Sequence, residues 1–120
     1  MEQQRFTVVV GVSPTSTSPT ALRWAAAQAA RFDGAVIAVR AWQVRAPAAT
    51  PSGTSVGRLP YATVLKQQVR ESLAADVAKV LGDDHGIELR TERGGRRKAL
   101  FQASREADLL VVDAARALTV

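Results

Sequence analysis

The chain has 120 residues, enough for one domain with a buried core. Apolar residues make up 47% and cysteine is absent, so an ordinary globular domain is expected and disulfides and thiolate metal sites are excluded. Sixteen basic residues, thirteen of them arginine, against eleven acidic ones give a net charge of +5. The excess is diffuse: six basic and two acidic residues in the first sixty give +4, ten and nine in the last sixty give +1. The few aromatics are not interleaved with the cations, so no nucleic-acid partner is expected. No apolar run approaches the roughly 18 residues of a membrane span, and the start Met1-Glu-Gln-Gln-Arg5 lacks signal-peptide architecture. A cytoplasmic location without a membrane partner is the expectation.

The stretch Phe6-Thr-Val-Val-Val-Gly-Val12 is an unbroken run of mostly β-branched residues, which suits a strand covered on both faces. Gly11 would let a ligand or another backbone come close. The turn Ser13-Pro-Thr-Ser-Thr-Ser-Pro19 then stops the strand and starts a helix, with Ser18 as N-cap and Pro19 as first helical residue. Ligands of open α/β folds bind at such turns. The five hydroxyls of Ser13, Thr15, Ser16, Thr17 and Ser18 would serve an anion, or only turn and cap chemistry.

Ala21 to Phe32 reads as the first helix, with Leu22, Ala25, Ala26 and Ala29 on one stripe. Asp33-Gly34 ends it, with glycine expected at the left-handed C-cap. Ala35 to Trp42 reads as a second apolar strand, and both Trp24 and Trp42 as packing residues. Residues 43–60, with three prolines and two glycines, read as a flexible loop placed to act as a lid. Tyr61 to Leu81 is the clearest helix, its stripe running through Val64, Leu65, Val69, Leu73, Val77 and Val80. His85 follows Asp83 and Asp84; capping and solvation explain it better than a metal, and no metal site is assigned.

Ile87 to Glu92 alternates as an edge strand does. Gly94-Gly95 leads into a short helix from Arg96 to about Glu106, with Ala99, Leu100 and Ala103 inward. Arg96, Arg97 and Lys98 place three cations in its first turn, against the helix dipole. Gly94, Gly95, Arg96, Arg97 and Lys98 are therefore a candidate anion site, or a solvated basic turn. Asp108 to Val112 reads as the fourth strand. Asp108 and Asp113, five residues apart, point to opposite sides and make no carboxylate pair. Strand and helix alternate throughout, so the sheet is parallel and the class α/β, as one domain over 1–120.

Several phrases resemble the universal stress protein family: Val8-Val-Val-Gly-Val12, Ala21-Leu-Arg-Trp-Ala-Ala26, Val39-Arg-Ala-Trp42, and Ala103-Ser-Arg-Glu-Ala-Asp-Leu-Leu-Val-Val112. The resemblance implies an open parallel sheet with flanking helices, of the adenine nucleotide alpha hydrolase-like type. Here it would hold four strands in the order 3-2-1-4 and lack the fifth through which many members dimerise. One branch of the family binds ATP through an aspartate after the first strand and a Gly-x-x-Gly-x9-Gly-Ser/Thr loop after the fourth. In this chain Ser13 stands for the aspartate, and Asp113 and Arg116 stand where the first loop glycines would fall. The later Gly-Ser/Thr pair does not occur before Val120.

Such a loop works by offering backbone N–H groups to phosphate, and a carboxylate at Asp113 opposes that. Gly11, Val12, Ser13, Ala41 and Asp113 are thus expected to form a vestigial nucleotide site, with no cofactor, or with ATP as a vestigial ligand. The expected function is a non-enzymatic stress-response or regulatory binding domain with an impaired ATP site. It would act through protein association. The alternative is an adenine-nucleotide binding module of weak affinity that uses the Gly94–Lys98 turn. The partner would be a second copy or a related stress protein, paired through the fourth-strand edge at Leu109, Leu110, Val111 and Val112, which otherwise lies open.

Overall fold

The computed structural model describes residues 5–44 and 61–113. The elements are β1 (Thr7–Gly11), α1 (Pro19–Arg31), β2 (Ala35–Trp42), α2 (Tyr61–Leu81), β3 (Glu88–Arg93), α3 (Arg96–Ser104) and β4 (Leu109–Val111). The sheet is parallel, in the order β3-β2-β1-β4, as the resemblance implied. The expected lid falls largely on 45–60, outside the described residues.

β1 sits in the middle because both its faces are apolar. Val8 and Val10 pack under α1 and α2, with Leu22, Ala25, Leu73 and Val77. Val9 faces the other way, onto Leu100 and Ala103 of α3. All three valines are fully buried. Each contributes roughly 1.5–3 kcal/mol, so this short strand anchors both layers. Gly11 continues it beneath α3. A Cβ there would lie 2.9 Å from Leu100 Cδ2 and 3.3 Å from Val112 Cγ1, so the room it leaves is taken by side chains.

Three local expectations need correction. The left-handed residue ending α1 is Asp33, at φ 52°, and not Gly34. The Asp33 and Gly34 N–H groups return to the Ala30 and Ala29 carbonyls at 3.3 and 2.7 Å, which closes the helix by a Schellman motif. Gly34 is needed because a Cβ would collide with the Phe6 carbonyl oxygen, where β2 starts beside β1. Trp24 does not pack inward; it is 48% exposed, two helical steps of about 100° from Leu22. The stripe of α2 buries only Leu73 and Val77 completely, while Tyr61 and Val64 are exposed. Both fully buried residues lie in the C-terminal half of this 21-residue helix, so its N-terminal half makes the looser contact with the core.

β4 pairs with β1 alone and is the sheet edge among the described residues. Leu109 and Val111 pack against the α1/α2 core, while Leu110 and Val112 are exposed. No helix of the described residues is long and apolar enough to cross a membrane.

Candidate functional site

After Gly11 the chain leaves the sheet, with Val12 N–H still donating to the Val39 carbonyl at 2.8 Å. The turn that follows consumes its own hydroxyls. Ser13 Oγ accepts from the Thr15 and Ser16 N–H groups at 3.1 and 3.3 Å, and the Ser13 carbonyl accepts from Thr17 N–H at 3.0 Å. Two adjacent residues, Thr17 and Ser18, are left-handed at φ 62° and 47°. That conformation costs roughly 1–2 kcal/mol per non-glycine residue, so the surroundings must hold it.

Ser18 occupies the N-cap position but caps nothing. Its buried Oγ turns back to accept the Ser13 N–H at 2.9 Å. The cap comes instead from Asp113, whose Oδ1 accepts the Ala21 N–H at 3.2 Å. The Asp113 carboxylate thus lies against the positive end of α1. Asp108, at the opposite end of β4, accepts the Thr7 N–H at 2.8 Å.

β2 supplies the second wall. By strand alternation the Val39 carbonyl, bonded to Val12, and the N–H and C=O of Ala41 point the same way. β1 has ended by that level, so the Ala41 backbone faces open space. The Trp42 carbonyl points to the other side and accepts the Gly94 N–H at 2.8 Å, which fixes the turn into α3. A cleft of about 360 Å³ lies between these pieces, lined by Gly11, Val12, Ser13 and Ala41 and closed by Gly94 and Arg96. Its position is the carboxyl end of the strands, where open parallel sheets take ligands.

The two separately expected residue sets therefore meet, though incompletely. Asp113 is not on the cleft wall. Of the three cations at the start of α3 only Arg96 reaches it. Arg97 and Lys98 border only an adjoining open surface, which Arg96 also lines, beside Phe101, which is 67% exposed. Gly95 lies there too, and among the described residues no side-chain cap bond is made to the helix. Arg93 stacks over the Trp42 ring at 5.5 Å, while the buried Trp42 Nε1 finds no partner among the described residues.

A second recess, about 370 Å³, opens at the opposite ends of the strands near Arg5, Gly34 and His85, with Ala26, Ala29, Ala30 and Ala35 in its wall. His85 Nδ1 accepts the Ile87 N–H at 2.8 Å, a turn contact. Among the described residues no three His, Cys, Asp or Glu side chains gather.

Sequence reasoning did not weigh Arg40. It is 3% exposed, in an otherwise apolar strand. Its guanidinium donates to the Val12 and Ser13 carbonyls at 3.3 and 3.1 Å, to Ser72 Oγ at 2.9 Å and to Asp76 Oδ2 at 2.7 Å. A lone cation within an eight-residue apolar strand was the available signal, because a buried charge must be paired.

The universal stress protein family model matches residues 5–118. No curated protein matches the chain. Among solved structures, a protein from Mycobacterium tuberculosis H37Rv is 22% identical, with a TM-score of 0.55, over 100% of this chain and 79% of that one. A universal stress family protein from Burkholderia pseudomallei is 19% identical, with a TM-score of 0.62, over 93% and 83%. A universal stress protein solved in complex with cAMP is 28% identical, with a TM-score of 0.54, over 92% and 77%.

Proposed function

The chain belongs to the universal stress protein family, and from that premise we propose that it is a non-enzymatic regulatory binding domain whose cleft takes an adenine nucleotide with a single phosphate. The observation that carries this reading is the meeting of Ala41 and Arg96 on one cleft. Ala41 offers a backbone donor and acceptor that no other described residue claims, the pair an adenine edge requires. Arg96 supplies one cation at an uncapped helix N-terminus, which suits one phosphate. A volume of about 360 Å³ lies near the lower end of the ~300–1,000 Å³ typical of small-molecule sites. The solved relative that holds cAMP supports the choice of a monophosphate.

ATP fits this reading poorly. Its extra phosphates add negative charge, and Asp113 at the end of β4 places a carboxylate next to the α1 N-terminus. Titration calorimetry with AMP, cAMP and ATP tests the proposal. Micromolar binding of a monophosphate with ATP weaker supports it, and no heat from any of the three rejects it.

A second reading, association through the β4 edge, rests on a separate observation. Leu110 and Val112 are 43% and 44% exposed on the last described strand. The two readings are compatible, since the cleft and this edge use different residues.

A further inference from the structure

We infer that Arg40 is the positioning residue of the cleft and that it ties the cleft floor to helix α2. This rests on the nucleotide reading only in what the cleft is for; the tie itself stands on geometry. Val12 and Ser13 line the cleft, and their carbonyls both accept from the Arg40 guanidinium. The same guanidinium holds Ser72 and Asp76 of α2, so one buried group spans the loop and the helix.

The loop needs such a hold. Residues Ser13 to Ser18 contain no glycine, yet Thr17 and Ser18 are left-handed. The turn is organised around Ser13, whose hydroxyl and carbonyl together take the N–H groups of Thr15, Ser16 and Thr17. Fixing the Ser13 carbonyl from below fixes that hub. A guanidinium suits the task because it presents donors in a rigid planar fork, whereas an ammonium cannot meet four acceptors from three donors. Asp76 neutralises the charge at 2.7 Å and aims the fork. Moving Asp76 with α2 therefore moves the floor of the cleft, and by thermodynamic reciprocity a ligand on that floor biases α2.

The test perturbs α2 and measures the loop. Asp76→Asn keeps an acceptor and removes the charge. The full chain is compared with this variant by amide hydrogen exchange and by AMP calorimetry at a temperature where both are folded. The expected result is about tenfold faster exchange at Thr15, Ser16 and Thr17, unchanged exchange at Val9 and Val10, and about fivefold weaker AMP binding. Arg40→Lys reproduces these effects and does not rescue them. Ser72→Ala, which removes one partner only, gives the same pattern at smaller size and serves if the other variants fold poorly. Uniform acceleration across loop and core, or an unchanged loop, overturns the inference. If the wild-type chain binds no AMP but the loop still responds to Asp76→Asn, the nucleotide reading falls and the role of Arg40 stands.

Discussion

Asp113 and Ala21 are 92 residues apart, yet the carboxylate of one caps the helix begun just before the other, at 3.2 Å. The bond joins the end of β4 to the start of α1 across the central strand. It gives Asp113 a structural task in place of Ser18. Removing an N-cap acceptor costs about 0.5–2 kcal/mol. Asp113→Ala is therefore expected to lower unfolding stability by about 1 kcal/mol, measured by urea titration, and Asp113→Asn to retain much of it.

The same carboxylate affects which nucleotide is favoured. At ~10 Å and an effective dielectric of about 40, two like charges repel by about 0.8 kcal/mol, near fourfold in affinity. Asp113→Asn should thus tighten ATP about fourfold and AMP much less. Calorimetry of both ligands at one ionic strength checks the ratio, and equal gains would remove Asp113 from the account of selectivity.

At the start of α3, only Arg96 borders the cleft. A charge-assisted hydrogen bond contributes roughly 1.5–3 kcal/mol. Arg96→Ala should weaken AMP binding at least tenfold, while Arg97→Ala and Lys98→Ala change it by less than about twofold. Parallel titrations of the three variants decide whether the site is this one arginine or a general basic surface.

The end of α1 predicts two opposite effects at adjacent positions. Asp33 is left-handed with a Cβ, so Asp33→Gly should stabilise the fold by about 0.5–1 kcal/mol. Gly34→Ala would drive a methyl group into the Phe6 carbonyl and part β1 from β2, with an expected loss of about 3 kcal/mol or more. Melting curves of the two variants separate them by sign.

The β4 edge gives a test of association. Leu110→Lys puts a charge on an exposed apolar position of the last described strand, a change that discourages strand pairing. If copies meet along this edge, the wild-type mass by light scattering exceeds one chain and the variant returns to one. A wild-type mass of one chain at high concentration would remove the second copy as partner.

Much of the fold was legible because it depends on local chemistry. Val8 to Val10 are apolar on both faces and so demand cover on both sides; Ala35 to Trp42 is a nearly continuous apolar run and Tyr61 to Leu81 carries an apolar stripe, and both spans match the sequence reading. The alternation of strand and helix then leaves a parallel sheet as the arrangement that helix-containing crossovers give. The order of the strands came from resemblance to a family, not from periodicity.

What tertiary structure decided is where polar groups find partners. Ser18 stands in the N-cap position, and no local pattern says that its hydroxyl turns to Ser13 while Asp113 crosses the sheet to do its work. Arg40 is one cation in an apolar strand until the fold brings Asp76 and Ser72 over it. Arg96, Arg97 and Lys98 are equivalent in sequence, and only the packed fold puts the first on the cleft wall while the other two border just the surface beside Phe101. Apolar residues carry their preference for burial in their own surfaces, so the chain alone determines layers and core. A hydrogen bond needs two groups at a set distance and direction, and those exist only once distant segments are packed together.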